Sequence, residues 1–205
     1  MRLHPPGDYV SDLIRAGIVH EWAVISEVER RLRELEPGVL VDVGAMIGTW
    51  SMALAERVPH TVVHAFEPSP ENLPLLEANV AGYRTVTVHP LALSAREELL
   101  RLVLDHTNRG HSHVGMPEPE DDWVHVPAIA LDQLRLEEVR LVKVDVEGHE
   151  LQVLSGARRT IERWHPLLVL ESWSGPPAVP FTGYRLAAEW EQAHQTYLYA
   201  WAGLG

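Results

Sequence analysis

Val39-Leu40-Val41-Asp42-Val43-Gly44-Ala45-Met46-Ile47-Gly48-Thr49 decides the fold. Its first five residues are apolar apart from Asp42 and end at a glycine. That pattern reads as a strand covered on both faces, as in a parallel sheet. A helix is predicted over Thr49–Arg57. Further on come a strand at Thr61–Phe66, a helix over Pro70–Ala81 stopped by Gly82, and a strand at Thr85–His89. The βαβαβ rhythm predicts an α/β fold with a doubly wound, mostly parallel sheet and right-handed crossovers.

Upstream, Val24, Val28, Leu32 and Leu35 recur at helical spacing within Glu21–Leu35, and Pro37-Gly38 ends that helix. Residues 1–20 read as an irregular arm. Downstream, Leu99–Leu104 and Trp123–Ala128 read as strands around a polar, structureless loop, His106–Asp122. Loops that long are usually functional. The alternation resumes with a strand at Leu141–Val146, a helix over Glu150–Trp164 and a strand at Leu167–Glu171. Ser174–Pro180 reads as a loop. Two strands near Tyr184–Ala188 and Thr196–Trp201 could pair as a hairpin, with helix the alternative over 185–193. No repeat or linker divides the chain. The expectation is a single domain, with an arm and helix at 1–37 and the sheet domain at 38–205.

The 205 residues are 46% hydrophobic and 22% charged, close to globular averages, which excludes a disordered or collagen-like chain. A chain this long buries roughly 70% of its unfolded surface and needs no staple. There are no cysteines, so disulfides, thiolate metal sites and a cysteine nucleophile are excluded. The first thirty residues lack the pattern of a secretory leader, and no apolar run reaches the ~18 residues of a membrane span. A cytoplasmic protein without membrane contact is expected. The net charge of −12 repels phosphate backbones and argues against nucleic acid as a partner. Sixteen of the 17 basic residues are Arg; the single lysine, Lys143, sits inside an apolar run.

Four stretches carry chemistry. The turn after the first strand lies where open α/β sheets bind ligands, at the carboxyl ends of the strands. A dinucleotide site wants Gly-x-Gly-x-x-Gly to cradle pyrophosphate, and Met46 and Thr49 occupy two of the glycine positions. S-adenosylmethionine has no phosphate, tolerates a looser turn and suits an acid, Asp42, near its cationic end. Glu67 ends the second strand 25 residues after Asp42, where a carboxylate can accept both ribose hydroxyls of either cofactor. In Lys143-Val144-Asp145-Val146-Glu147-Gly148-His149-Glu150 two acids and a histidine gather at another strand end. Lys143 and Asp145 share one strand face, so a buried Lys–Asp pair is expected there. His111 and His113 could chelate a metal, but a lid or substrate contact is the favoured role of their loop.

Val41-Asp42-Val43-Gly44-Ala45-x-x-Gly48, Phe66-Glu67-Pro68, Asn108-x-Gly110-x-Ser112, Leu131-Asp132 and the Lys143–Glu150 stretch together resemble the FkbM family of S-adenosylmethionine-dependent methyltransferases. The resemblance runs from about Glu21 to Trp201. It implies a Rossmann-like class I methyltransferase sheet with a C-terminal antiparallel hairpin, and O-methylation of natural products or sugars. It also implies cofactor contacts from Asp42, Gly44, Ala45, Gly48, Glu67, Pro68, Ala92, Leu93, Ser94 and Asp145. Met46 stands where such proteins commonly carry Asn.

Catalysis would fall to Asp145, Glu147 or His149 as base, and a small hydroxylated substrate to Asn108, His111, Ser112 and His113. A divalent ion on Asp145 and Glu147, or on His111 and His113, is the less favoured scheme. With a short arm, the substrate cap is expected largely from the 105–122 loop. A nicotinamide-dependent oxidoreductase and an inactive nucleoside-binding domain stand as alternatives. A homodimer is compatible with the sequence, which sets no oligomeric state.

Overall fold

The computed structural model describes residues 1–18, 21–172, 175–190 and 195–203. In chain order it begins with helices α1 (Tyr9–Arg15) and α2 (Trp22–Leu32), then β1 (Val39–Val43), α3 (Thr49–Arg57), β2 (Val62–Phe66), α4 (Leu73–Val80) and β3 (Val86–His89). Four short strands follow: β4 (Ala92–Leu93), β5 (Glu98–Val103), β6 (His113–Val114) and β7 (Trp123–Ile129). The chain continues through β8 (Val139–Val144), α5 (Glu150–Gly156), α6 (Arg158–Trp164), β9 (Leu167–Glu171), β10 (Tyr184–Trp190) and β11 (Thr196–Trp201).

The main sheet has seven strands in the order β10-β11-β9-β8-β1-β2-β3. The five strands from β3 to β9 are parallel, and β11 and β10 close the far edge as an antiparallel hairpin. From β1 the chain winds outward to β2 and β3, then crosses to β8 on the other side. That reversal opens a crevice at the carboxyl ends of β1 and β8.

Two cores sandwich the sheet. On one face Leu40, Leu141, Leu167 and Val169 pack against Val24, Ile25 and Val28 of α2 and Trp50 and Leu54 of α3. On the other, Val41, Val142 and Leu168 meet Val153 and Leu154 of α5, Ala157 between the two helices, and Ile161 of α6. Strand residues two apart share a face. Asp42 therefore follows Leu40, Lys143 and Asp145 follow Leu141, and Glu171 follows Val169 onto the α2/α3 side.

The structure corrects the sequence reading at several places. The arm contains α1, capped by Asp8, whose Oδ1 accepts from the Ser11 amide at 3.0 Å. The 106–122 loop holds a 3₁₀ turn at Arg109–His111 and the short β6, which pairs with β5. β4, β7, β5 and β6 form a second sheet of their own. The Glu150–Trp164 helix is two helices joined at Ala157, where φ is −104°. β10 replaces the alternative helix over 185–190; its residues 191–193, and Ser174 of the expected loop, lie outside the described residues. Among the described residues no helix is long and apolar enough to cross a membrane.

Candidate active site

The crevice is open to solvent. Its floor begins at Gly44. The φ of +79° there, and a Cβ that would overlap the Asp145 carbonyl, leave room only for glycine. Met46, in the same turn, adopts φ +49°, a conformation costly for its side chain.

A polar cluster fills the end of the crevice over β1, β8 and β9. Lys143 is 3% exposed and Asp42 fully buried. The Lys143 ammonium stands 3.1 Å from Asp145 Oδ2, 3.6 Å from Asp42 Oδ1 and 3.2 Å from the Gly44 carbonyl. Ser51 donates to Asp42 Oδ2 at 2.6 Å, while Oδ1 has no hydrogen bond. Burial alone would lower the Lys143 pKa; Asp145, Asp42 and Glu21 outweigh it and hold the ammonium charged. Glu171, at the end of β9, is raised far above the carboxylate range, first by burial and then by Asp145 and Glu21. Glu21, which precedes α2, is raised by withdrawal from water, against the pull of Lys143. Around one ammonium stand more carboxyl groups than it can neutralise.

Such an end suits a cationic ligand and repels a pyrophosphate. Asp145, Glu147 and Glu171 also each offer an oxygen within 4.8 Å of one another, close enough to share one divalent ion. Glu147 holds φ +53° to take its place in that group.

Glu67 lies in the adjoining wall. Its Oε2 accepts from the Met46 amide at 2.8 Å, and its Oε1 from the Ser69 amide at 2.8 Å and Asn72 Nδ2 at 3.3 Å. Burial pushes its pKa up to about 7 despite those donors. Beyond Glu67, on the side of β4, Ala92 and Leu93 line the wall, as does His149, whose Nε2 lies 3.1 Å from Ser94 Oγ.

The opposite wall is made by Tyr9, Val10 and Ile14 of α1 and by Asn108–Ser112. Asp8 joins the two, its Oδ2 accepting from the Arg109 amide at 3.2 Å. The cap therefore comes from the arm and the loop together, not largely from the loop.

Most of the expected site residues meet in this crevice: Gly44, Ala45, Glu67, Pro68, Ala92 and Leu93 on one side, Asp145, Glu147 and His149 on another, Asn108, His111 and Ser112 across from them. Four do not line it. Asp42 lies beneath the floor and acts on the crevice only through Lys143. Gly48 turns the chain into α3 at φ +92° and packs on Leu76 and Val80. Ser94 stands behind His149. His113 is exposed on β6, and its ring bonds the His111 carbonyl at 3.2 Å while the His111 ring bonds Asn108 at 3.0 Å. Among the described residues the two histidines join no carboxylate in a metal-sized group. The sequence reading passed over Glu21, Trp50, Arg109 and Glu171. The signal for Glu171 was legible: an acid at the carboxyl end of a parallel strand, in phase with Asp145.

A seven-stranded sheet of this order, with the crevice at its switch point, defines a Rossmann-like fold of the methyltransferase kind. The chain is structurally similar to an FkbM methyltransferase from Methylobacillus flagellatus KT, with a TM-score of 0.58 and 18% identity over 95% of this chain and 61% of that one. It is similar also to the putative methyltransferase yhhF of Escherichia coli, with a TM-score of 0.56 and 15% identity over 98% of this chain and 92% of that one. The methyltransferase FkbM domain matches residues 42–197, and the chain belongs to that family. The 31-O-demethyl-FK506 methyltransferase FkbM of Streptomyces tacrolimicus is 30% identical over 60% of this chain and 61% of its own length. Methyltransferase 1 of Beauveria bassiana is 28% identical over 57% of each chain. The chain thus spans about three-fifths of the length of these curated relatives.

Proposed function

We propose that this protein uses S-adenosylmethionine to methylate a hydroxyl oxygen of a small molecule. The observation that carries the reading is the excess of carboxyl groups over the one Lys143 ammonium, at the end of a crevice whose next wall is Glu67. When bound, the cofactor supplies a methyl carbon on a cationic sulfur, which departs as a neutral thioether. Asp145 and Glu147 complement that positive charge, Glu171 beside them stays protonated until a cation arrives, and Glu67 accepts from the ribose. An anionic dinucleotide finds no such welcome, which favours this reading over the nicotinamide one.

Lys143 fixes the Asp145 carboxylate at the edge of the crevice, held in turn by Asp42 below it. Orientation of the acceptor oxygen then supplies much of the rate. The hydroxyl proton passes to Asp145 or Glu147. Tyr9, Val10, Ile14 and Asn108–Ser112 screen the site from water and contact the acceptor. The name of the Streptomyces relative, which acts on an oxygen, supports the choice of a hydroxyl.

Calorimetry tests the cofactor: S-adenosylhomocysteine is expected to bind and NAD is not, and no binding of the former overturns the reading. Asp145→Asn is expected to keep that binding while slowing turnover about 100-fold or more on an accepted substrate. Full turnover would remove Asp145 from the reaction.

A further inference from the structure

At the base end of the crevice, a chain of three side chains fixes one ring. Ser94 has a single hydroxyl proton, and Glu98 Oε1 accepts it at 2.7 Å. The Ser94 bond holds the Glu98 carboxyl below its ordinary pKa, and Arg96 lies 3.1 Å from the other oxygen, so Glu98 is ionised and can only accept. With its proton committed, Ser94 Oγ must accept from the ring of His149, 3.1 Å away. The hydrogen of a neutral ring therefore sits on Nε2, and Nδ1 presents a bare lone pair. Nδ1 has no hydrogen-bond partner among the described residues, nor is it one of their sealed-off polar atoms. His149 is 9% exposed and lines the crevice beside Ala92 and Leu93, so the lone pair opens there.

We infer that His149 reads the nucleobase of the cofactor, its Nδ1 accepting a hydrogen bond from the exocyclic amine of adenine. Ser94 and Glu98 are positioning residues that set the tautomer. The inference rests on the S-adenosylmethionine reading and moves His149 away from the base role that the sequence offered. A purine with a 6-oxo group would set an acceptor against an acceptor, leaving both unpaired.

The test compares S-adenosylhomocysteine with S-inosylhomocysteine by titration calorimetry. The wild-type protein is expected to prefer the amine by about tenfold or more. His149→Phe is expected to bind both within about twofold of each other. His149→Asn, which keeps an acceptor oxygen near the place of Nδ1, restores part of the preference. Ser94→Ala lowers it, because the ring is free to change tautomer. Long-range ¹H–¹⁵N spectra of the wild type should show the His149 hydrogen on Nε2, an outcome independent of whether any variant folds. A hydrogen on Nδ1, equal wild-type affinities, or a His149→Phe protein that binds S-adenosylhomocysteine with its preference intact overturns the inference. Failure of both nucleosides to bind the wild type removes the cofactor reading and this inference with it; binding without preference removes this one alone.

Discussion

The two walls of the crevice are built differently. The chemical wall stands on strand ends. Asp42 and Lys143 are register partners on β1 and β8, Asp145 follows the end of β8 and Glu171 ends β9, with Leu40, Leu141 and Val169 beneath them in the core. The opposite wall is a short helix and a loop tied down by side chains. Asp8 clasps Arg109, His4 Nε2 meets Asn72 at 2.8 Å, and Arg109 and His106 reach Glu71 at 3.3 and 3.2 Å. The first wall cannot shift without disturbing the sheet. The second is held by few bonds, several of them near solvent, and should open more readily than the first. A reacting group has to be placed within a fraction of an ångström, whereas a substrate has to enter and leave.

Breaking the strand-end wall should have the largest effect. Lys143→Met leaves the fully buried Asp42 and the half-buried Asp145 without their cation and should cost about 3–5 kcal/mol in urea unfolding. Asp42→Asn added to it should recover part of that loss. A single variant as stable as the wild type would mean that the ammonium is not what neutralises this cluster.

Glu67 sharpens the comparison through pH. Its pKa of about 7 means that the folded, empty protein holds this proton at pH 6. The ionised carboxylate is the better ribose acceptor, so S-adenosylhomocysteine affinity should rise with pH up to about 7, by at most about tenfold per unit, and then level off. Glu67→Gln should remove that rise; a rise that persists unchanged would assign it to another group.

The opposite wall should yield more gently. Asp8→Ala removes both the α1 cap and the tie to Arg109, worth about 1 kcal/mol. Hydrogen exchange should quicken across Tyr9–Arg15 while the sheet amides keep their protection; equal quickening in the sheet would contradict the separation of the two walls.

The smallest effect belongs to His106. Its hydrogen bond to Asp122, and then the charge of Glu71, raise its pKa above the ordinary 6.5. A raised histidine contributes fully below 6.5 and loses that contribution as pH climbs through its folded value. Exchange in residues 106–112, corrected for the intrinsic rate, should therefore be slower at pH 6 than at pH 8 by about twofold, as befits an exposed pair. His106→Ala should abolish the difference.

By itself the sequence determined the layers and the floor of the crevice. Period-two and helical spacings are local properties, so β1, α3 and β9 match the reading residue for residue, and β2, β3 and α4 differ only at their ends. The Gly44 turn, Glu67 and the Lys143–Asp145 pair were legible for the same reason: each follows from where a strand stops and which way its side chains alternate. What meets across strands is not local. Register set Asp42 against Lys143 below the floor, while the packing of α2 on the sheet brought Glu21 to the same cluster and the start of α5 brought His149 to Ser94. The opposite wall was equally hidden, since Asp8 and Arg109, which meet there, lie far apart in the chain. Only the tertiary fold decides such meetings, because burial and pairing energies depend on neighbours in space that no spacing along the chain specifies.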